Sequence, residues 1–247
     1  MPKTSNRVIP IHPHKHVYKI VLLLCLFFIK NAYGFDISIT RAELGFGIIP
    51  EYNRSFYYSW DIMTTGSVEF NKNFILGSGV SMGQVEDIFD INTYINAEYG
   101  FPFFRPYVPM VLKIAYIYNG LPEYETHIHT LLPTFSFKWR YFGGSIGSTL
   151  RFTTFDKNPA IFEPIIAYSA YLNFYNTDDA VIGIGLSNYD DFNAANLGSY
   201  SFNLNNRIRI TNLISLSNVV EIAMSGNVGH IVSVYGISYG GMIIFKW

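Results

Sequence analysis

The sequence predicts an all-β protein, namely a closed, antiparallel transmembrane β-barrel of about twelve strands. Three observations support this prediction. Hydrophobic residues make up 49% of the chain and charged residues only 14%, whereas about 25% charged residues is usual in soluble domains. The apolar residues are nevertheless dispersed, and beyond the amino-terminal region no run approaches the roughly 20 residues that a membrane helix requires. Instead, apolar and polar residues alternate with a period of two, which is typical of strands.

The amino-terminal region, residues 1–34, is predicted to be a signal peptide that is cleaved during export. Its apolar stretch at residues 20–29 is too short to cross a membrane as a helix. The only cysteine lies within this stretch, so the mature chain would have no disulfide and no thiolate site. Residues 35–247 are then expected to form a single barrel domain. The residues behind this interpretation are the basic Lys3, Arg7, Lys15 and Lys19, then Cys25, and the small Ala32 and Gly34 before the cleavage site.

The last strand shows the alternation most clearly. One face of this strand is apolar or aromatic, and the other is small or polar except at Met242 and Ile244. In a membrane barrel the first face contacts lipid and the second lines the lumen. The lipid-facing set would be Tyr235, Ile237, Tyr239, Gly241, Ile243, Phe245 and Trp247, and the lumen set Gly236, Ser238, Gly240 and Lys246.

The same pattern recurs along the rest of the chain. Clear copies lie at 56–70, 131–141, 142–154 and 199–210, and weaker ones at 41–48, 74–82, 91–99, 106–118, 162–174, 180–187 and 214–224. The phase breaks near Thr40, which indicates a β-bulge or a lead-in that is not strand. Pro109, Pro133 and Pro164 fall inside predicted strands, where the missing amide hydrogen is unfavourable. These prolines indicate either bulges or misplaced strand boundaries.

The connections between these segments are predicted to alternate in length. Membrane barrels have short turns at one end and longer loops at the other, and both termini would then lie at the end with the short turns. The tight set is 71–73, 101–105, 140–142, 176–179 and 211–212, and the longer set is 50–55, 84–90, 119–130, 156–159, 189–197 and 226–230.

Two other architectures remain open, a barrel of about eight to ten strands and a soluble β-sandwich whose apolar faces meet in a core. The sandwich is disfavoured because aromatic residues cluster near strand ends, as in the interfacial girdles of membrane barrels. In addition, the polar face carries many small residues and few long charged ones, unlike a soluble surface. The aromatic residues in question are Phe56, Tyr58, Trp139, Tyr141, Phe245 and Trp247.

The carboxyl-terminal residues carry a resemblance. Tyr239, Ile243, Phe245 and the terminal Trp247 place apolar or aromatic side chains at alternate positions. This pattern resembles the signal that the outer-membrane barrel assembly machinery reads. The chain from 35 to 247 resembles bacterial outer-membrane barrel proteins in general and, in overall character only, small uncharacterised barrels of spirochaetes. The resemblance implies an outer-membrane location after signal-dependent export, with membrane lipid and the assembly machinery as partners, and it transfers no site.

By alternation, charged residues of both signs would line the lumen. Isolated charges are costly in a narrow lumen, so they must pair with one another or contact water. Two interpretations stay open, a salt-bridged lumen that closes the barrel and a wet passage whose charges bias the solutes that pass. The lumen-lining candidates are Arg41, Glu43, Asp61, Glu98, Lys113, Arg151, Glu163, Arg207, Arg209 and Glu221.

The sequence offers few candidates for chemistry, and we expect no enzyme, no metal and no cofactor. Residues 143–147 match the G-x-S-x-G pattern, but the alternation continues through them, whereas a nucleophile elbow requires a strand, a sharp turn and a helix. His127 and His129 could bind a transition metal with Glu123 or Glu125, although exposed loop histidines are the simpler interpretation. The net charge of −1 argues against nucleic acid as a partner.

Two functions fit this architecture. The first is a narrow, porin-like channel for passive passage of small hydrophilic solutes, because about twelve strands lie between the eight that side chains fill and the sixteen that leave a channel. The alternative is a structural or surface-interaction barrel, adhesin-like, with an occluded lumen. Residues 119–130 would then be its best recognition loop, because exposed loops carry recognition. The expected partner is a small solute in the first case and a surface ligand in the second.

Overall fold

Within the residues that the structure describes, twelve antiparallel strands close into a barrel, because each strand pairs with its sequence neighbours and β1 also pairs with β12. Closure leaves neither the first nor the last strand as an edge of the sheet, which a sheet in lipid requires. The computed structural model describes residues 38–53, 58–85, 88–102, 108–154, 161–192, 199–227 and 230–247. The strands are β1 Ile39–Asn53, β2 Tyr58–Phe70, β3 Phe74–Val85, β4 Ile88–Gly100, β5 Met110–Leu121, β6 Thr126–Lys138, β7 Phe142–Thr154, β8 Ile161–Asn176, β9 Ala180–Ser187, β10 Ser199–Arg209, β11 Ile214–Asn227 and β12 His230–Lys246.

The predicted fold class is confirmed, and the two alternative architectures are wrong. Each of the twelve predicted segments corresponds to one strand, and segments 142–154 and 180–187 coincide with β7 and β9. The predicted signal peptide lies outside the described residues and stays a prediction. In the described part of the chain, no helix has both the length and the apolar character needed to cross a membrane.

The predicted alternation of connection lengths is wrong. At the end expected to carry long loops, residues 86–87 alone separate β3 from β4, and residues 228–229 alone separate β11 from β12. At the opposite end, a long connection runs from Gly100 to Met110. The strands extend into polar segments because backbone hydrogen bonds hold the ladder whatever the side chains are.

The predicted recognition loop at 119–130 is also mostly strand. β5 continues to Leu121 and β6 starts at Thr126, so residues 122–125 alone connect them. Pro122–Tyr124 form a single turn of 3₁₀ helix, which Glu125 ends in the left-handed conformation, with φ of 48°. The hairpin therefore presents a tight turn rather than a loop.

The two faces of the barrel wall differ as the alternation predicts. Cross-strand partners share a face, and on the outer face Phe46 pairs with Ile243. Both rank among the large apolar side chains that are exposed on this chain, an arrangement that suits contact with lipid. On the inner face, Asn203 pairs with Gly185 on one side and with Glu221 on the other.

One irregularity of the sequence pattern corresponds to a bulge. The pairing of β1 with β2 shifts between Ile39 and Arg41, so the bulge predicted near Thr40 is confirmed. The extra residue explains why the apolar positions before it are out of phase with those after it.

The three discordant prolines have three different explanations. Pro109 precedes β5, which begins at Met110, so the predicted boundary at residue 106 is too early. Pro133 lies in an interruption of the β6–β7 ladder, where no amide hydrogen is required. Pro164 lies in the part of β8 that β9 does not reach, since their pairing begins at Ser169. Pro133 and Pro164 thus occupy positions where one edge of the strand makes no ladder hydrogen bond.

A cluster of buried apolar side chains lies inside the barrel. They come from the inner faces of four strands, and the connection after β9 adds Tyr189 and Phe192. A barrel of this size can therefore be narrowed by its own side chains. The buried members of this lumen cluster are Tyr94 from β4, Ala115 and Ile117 from β5, Leu132 from β6, and Ile165 and Ala167 from β8.

Candidate functional site

The connection after β9 turns into the lumen because β9 is short. It has 8 residues, whereas its neighbour β8 has 16, so part of β8 lacks a strand partner on the side of β9. Asn188 replaces that partner. Its backbone N–H donates to Tyr168 O at 3.2 Å, its side-chain Oδ1 accepts from Tyr168 N–H at 2.8 Å, and its Nδ2 donates to Ile166 O at 2.8 Å. We call residues 188–192 the lumen segment.

Ion-pair and hydroxyl contacts hold the lumen segment against the barrel wall. The Asp191 carboxylate accepts a hydrogen bond from Lys113 Nζ at 2.6 Å, and the Tyr189 hydroxyl lies 2.5 Å from Ser145 Oγ. Lys113 belongs to β5 and Ser145 to β7. The segment is therefore fixed to strands that are remote from its own β9.

Phe192 provides the apolar anchor of the lumen segment. Its ring meets that of Tyr94 edge-on, with centroids 5.0 Å apart, and its carbonyl accepts from Asn119 Nδ2 at 2.7 Å. Gly79 leaves the space for this contact, since a Cβ there would clash with the Tyr94 ring and lie 3.0 Å from Phe192 Cζ. A larger residue at position 79 would displace one of the two rings.

A cavity of about 440 Å³ lies beside the lumen segment. This volume is within the range of about 300–1,000 Å³ that is common for small-molecule sites. The residues that line the cavity with polar side chains are Lys113, Lys138, Ser169, Tyr171, Asn173, Ser187, Tyr189, Asp190, Asp191, Asn203 and Asn205.

A second feature of the lumen is a group of cations around one carboxylate, which we call the Glu43 cluster. Arg207 Nη2 lies 2.9 Å and Lys246 Nζ 3.9 Å from Glu43 Oε1, and Arg41 pairs with the same oxygen. Arg207 belongs to β10, which β11 and β12 separate from β1 in the sheet. The cluster therefore bridges strands that are not neighbours, and it carries an excess of positive charge.

All the predicted lumen-lining residues lie at inner-face positions of the register, although their role in transport stays a prediction. Arg41, Glu43 and Arg207 come together in the Glu43 cluster, and Glu221 pairs with Ser238 on the inner face. A Cβ on Gly83 would clash with Asp61 and lie 2.5 Å from Asp90 Oδ1, so these two carboxylates flank that glycine. The remaining candidates form ion pairs: Lys113 with Glu98 at 3.6 Å, Arg151 with Glu163 at 3.7 Å, and Arg209 with Asp179 of the β8–β9 turn.

Several residues of the candidate site were not predicted. The alternation places Asn203 and Asn205 on the polar face, but a choice of lumen candidates by charge leaves these amides out. Asp191 gives no periodic signal because it lies in a connection. Tyr94 was missed because an aromatic residue in a membrane barrel is expected to face lipid.

The two histidines do not form the metal site that was considered for them. His127 and His129 lie on the outer face, where their Nδ1 atoms are 2.9 Å and 2.7 Å from the hydroxyls of Tyr118 and Tyr116. The Glu123 carboxylate instead accepts from the backbone N–H of residue 89. Among the residues that the structure describes, no group of three or more potential ligands could hold a metal ion.

Ser145 is not arranged as a nucleophile. It lies within β7, without the strand–turn–helix geometry of a nucleophile elbow. Its hydroxyl is 2.7 Å from Ser169 Oγ and 2.5 Å from the Tyr189 hydroxyl, and neither partner is a general base of the kind that activates serine. Its visible role is to anchor the lumen segment.

Comparison with solved structures finds barrels of the same architecture. The NanC porin aligns with 82% of this chain and 100% of its own, at 10% sequence identity and a TM-score of 0.54. The KdgM porin aligns with 81% of this chain and 98% of its own, at 9% identity and a TM-score of 0.53. The chain has the fold of a bacterial outer-membrane β-barrel. At these identities the likeness concerns the fold alone.

A further structure of the KdgM porin, in complex with disordered oligogalacturonate, aligns equally well, with a TM-score of 0.53 at 10% identity over 81% of this chain and 98% of the other. No protein-family model matches the sequence, and the comparison with curated proteins gives no match. The comparisons therefore concern the fold of this chain and not its activity, which depends on the residues of the lumen.

Proposed function

We propose that this protein is a non-enzymatic channel in the bacterial outer membrane, for passive passage of small hydrophilic solutes. One observation carries the proposal: the lumen segment narrows the barrel beside a polar cavity of about 440 Å³. A constriction lined by hydrogen-bonding groups selects solutes by size and polarity. The apolar outer face fits the proposed membrane location, and the similarity in fold to the NanC and KdgM porins supports the proposal.

Conductance of the purified protein in planar bilayers tests this proposal. We expect small, uniform current steps at low voltage, because the lumen segment leaves only part of the cross-section open. Swelling of vesicles in solutions of uncharged solutes of increasing size should then give a cut-off near that of small oligosaccharides. A correctly folded barrel that passes no current over a broad range of voltages would contradict the proposal.

A structural barrel with an occluded lumen is a second candidate, favoured by the apolar lumen cluster. Ile117, Leu132 and Ala167 are at most 1% exposed, so part of the lumen is filled. Surface recognition at 119–130 has less support, since only the turn at 122–125 projects from the strands there. The conductance measurement separates the two candidates, because an occluded barrel would stay silent while remaining folded.

A further inference from the structure

Three asparagines form a polar surface on one side of the cavity. We call Asn173, Asn203 and Asn205 the amide shelf. Asn205 Nδ2 donates to Asn203 Oδ1 at 3.2 Å, so two of the amides are joined along β10. All three line the cavity.

Two glycines of β9 allow the amide shelf to lie close to the barrel wall. A Cβ on Gly183 would clash with Asn173 Oδ1, and one on Gly185 would lie 2.6 Å from Asn203 Oδ1. Alanine at either position would therefore push an amide away from the wall. Because these two positions have no side chains, the asparagines lie close to the wall, and the space beside them is left to the cavity.

The lining of the cavity also includes hydroxyl groups and aromatic rings. Tyr171 lies close against Gly143, where a Cβ would clash with its ring. Tyr189 is held by its hydrogen bond to Ser145. Each asparagine amide offers two donors and one acceptor group, and each hydroxyl offers one donor and two lone pairs. A ligand with many adjacent hydroxyls, which both donate and accept, satisfies this mixture.

The charged groups of the cavity balance one another. Lys113 and Lys138 supply two positive charges, and Asp190 and Asp191 supply two negative ones. Lys113 and Asp191 are paired at 2.6 Å, and the Asp190 carboxylate accepts from the backbone N–H of residue 192 at 2.6 Å. A charged ligand would find no net counter-charge here. The Glu43 cluster, in which cations outnumber the carboxylate, is separate from this site, because none of its members lines the cavity.

We infer that the cavity between the amide shelf and the lumen segment is a binding site for an uncharged, polyhydroxylated solute of one or two sugar rings. This inference rests on the proposed function, since a solute reaches the site through the lumen. The solute that the channel holds in transit is then one that amides and hydroxyls recognise, and not one that is bound by ion pairing.

Binding of maltose to the full-length mature barrel, folded in detergent, tests the site directly. Saturation-transfer NMR should show contact with maltose, and digalacturonate should give a much weaker signal because the cavity offers it no net charge. Asn203→Ala with Asn205→Ala should raise the dissociation constant for maltose by about thirtyfold, since each variant side chain removes a typical hydrogen bond of about 1 kcal/mol. Asn206→Ala, on the outer face of the same strand, is the matched control and should leave binding unchanged.

The outcomes separate this inference from the proposed function. Maltose binding that depends on the amide shelf supports the site, and a saturable reduction of ion current by maltose supports both the site and the channel. If maltose binding depends on the amide shelf but the barrel passes no current, the proposed binding site stands and the proposed channel function is overturned. Current without maltose binding, or equal binding of digalacturonate, overturns the site and keeps the channel. Heat-modifiable gel mobility verifies folding of each variant, and Asn173→Ala replaces the double variant if that one does not fold.

Discussion

The two sides of the lumen are built differently. On the side of β4, β5, β6 and β8, the inner face contributes the buried apolar cluster, and the lumen segment packs against it. On the side of β9 and β10, the inner face carries mainly glycine, serine and asparagine, and the cavity lies between these strands, the last part of β8 and the lumen segment. Inward and outward side chains alternate with a period of two on both sides, so this alternation does not decide which side of the lumen is filled by side chains. The size and polarity of the inward residues decide it.

Removal of packing from the filled side should have the largest effect. Leu132→Ala is expected to lower the free energy of unfolding by about 2–5 kcal/mol, because it leaves a void in a packed cluster; Leu132 is 1% exposed. Ser201→Ala, on the open side, should change stability little. Urea unfolding of the barrel in lipid vesicles gives both values. Equal losses would mean that the two sides do not differ in packing.

A comparable effect should follow from a charge on the outer face. Leu204→Arg places a charge against lipid near the middle of β10 and should cost about 2–4 kcal/mol, whereas Asn203→Arg faces the lumen and should cost far less. The fraction that folds, read from heat-modifiable gel mobility, compares the two variants. Greater damage from the Asn203 variant would show that the faces of β10 are reversed, as a register shift of one residue would produce.

Release of the lumen segment should widen the channel. Asp191→Asn with Phe192→Ala removes the ion pair with Lys113 and the ring contact with Tyr94, so we expect about a twofold rise in single-channel conductance, as a larger pore radius requires. Asp178→Asn, in an exposed turn, is the control and should conduct like the parent. An unchanged current in the double variant would show that the segment does not limit passage.

The smallest effect is expected at the Glu43 cluster. Glu43→Gln leaves Arg41, Arg207 and Lys246 without their shared carboxylate, so the preference for anions should rise by about twofold. Reversal potentials in a salt gradient measure this change, and Asp178→Asn, in the exposed turn between β8 and β9, serves as the control. At about 1 M salt, where the screening length is near 3 Å, the difference between variant and parent should largely disappear; its persistence would argue for a steric cause.

The sequence alone predicts the barrel well, because alternation reports on each strand locally. The bulge near Thr40 and the faces of the last strand follow from it directly. Strand ends are less predictable, since backbone pairing continues through residues such as Asn119 and Gly120, where the side-chain pattern carries no information. The prediction of loop lengths fails for that reason.

The candidate site is only partly predictable from the sequence. Alternation places Asn203 and Asn205 in the lumen, but it cannot show that Gly183 and Gly185 lie beside them or that a cavity results. The contact between Lys113 and Asp191 joins residues that are 78 positions apart, and Asp191 lies in a connection without periodicity. Such a contact depends on the early end of β9, which no local pattern indicates.

The short β9 also has a mechanical consequence. An empty closed sheet resists flattening only through its hydrogen-bond ladder. Here the chain that leaves β9 enters the lumen and is attached to Lys113 of β5 and Ser145 of β7. The lumen segment therefore acts as a cross-brace that fixes the barrel's cross-section. A change that separated Asp191 from Lys113 would therefore remove one of the two attachments that hold this cross-section.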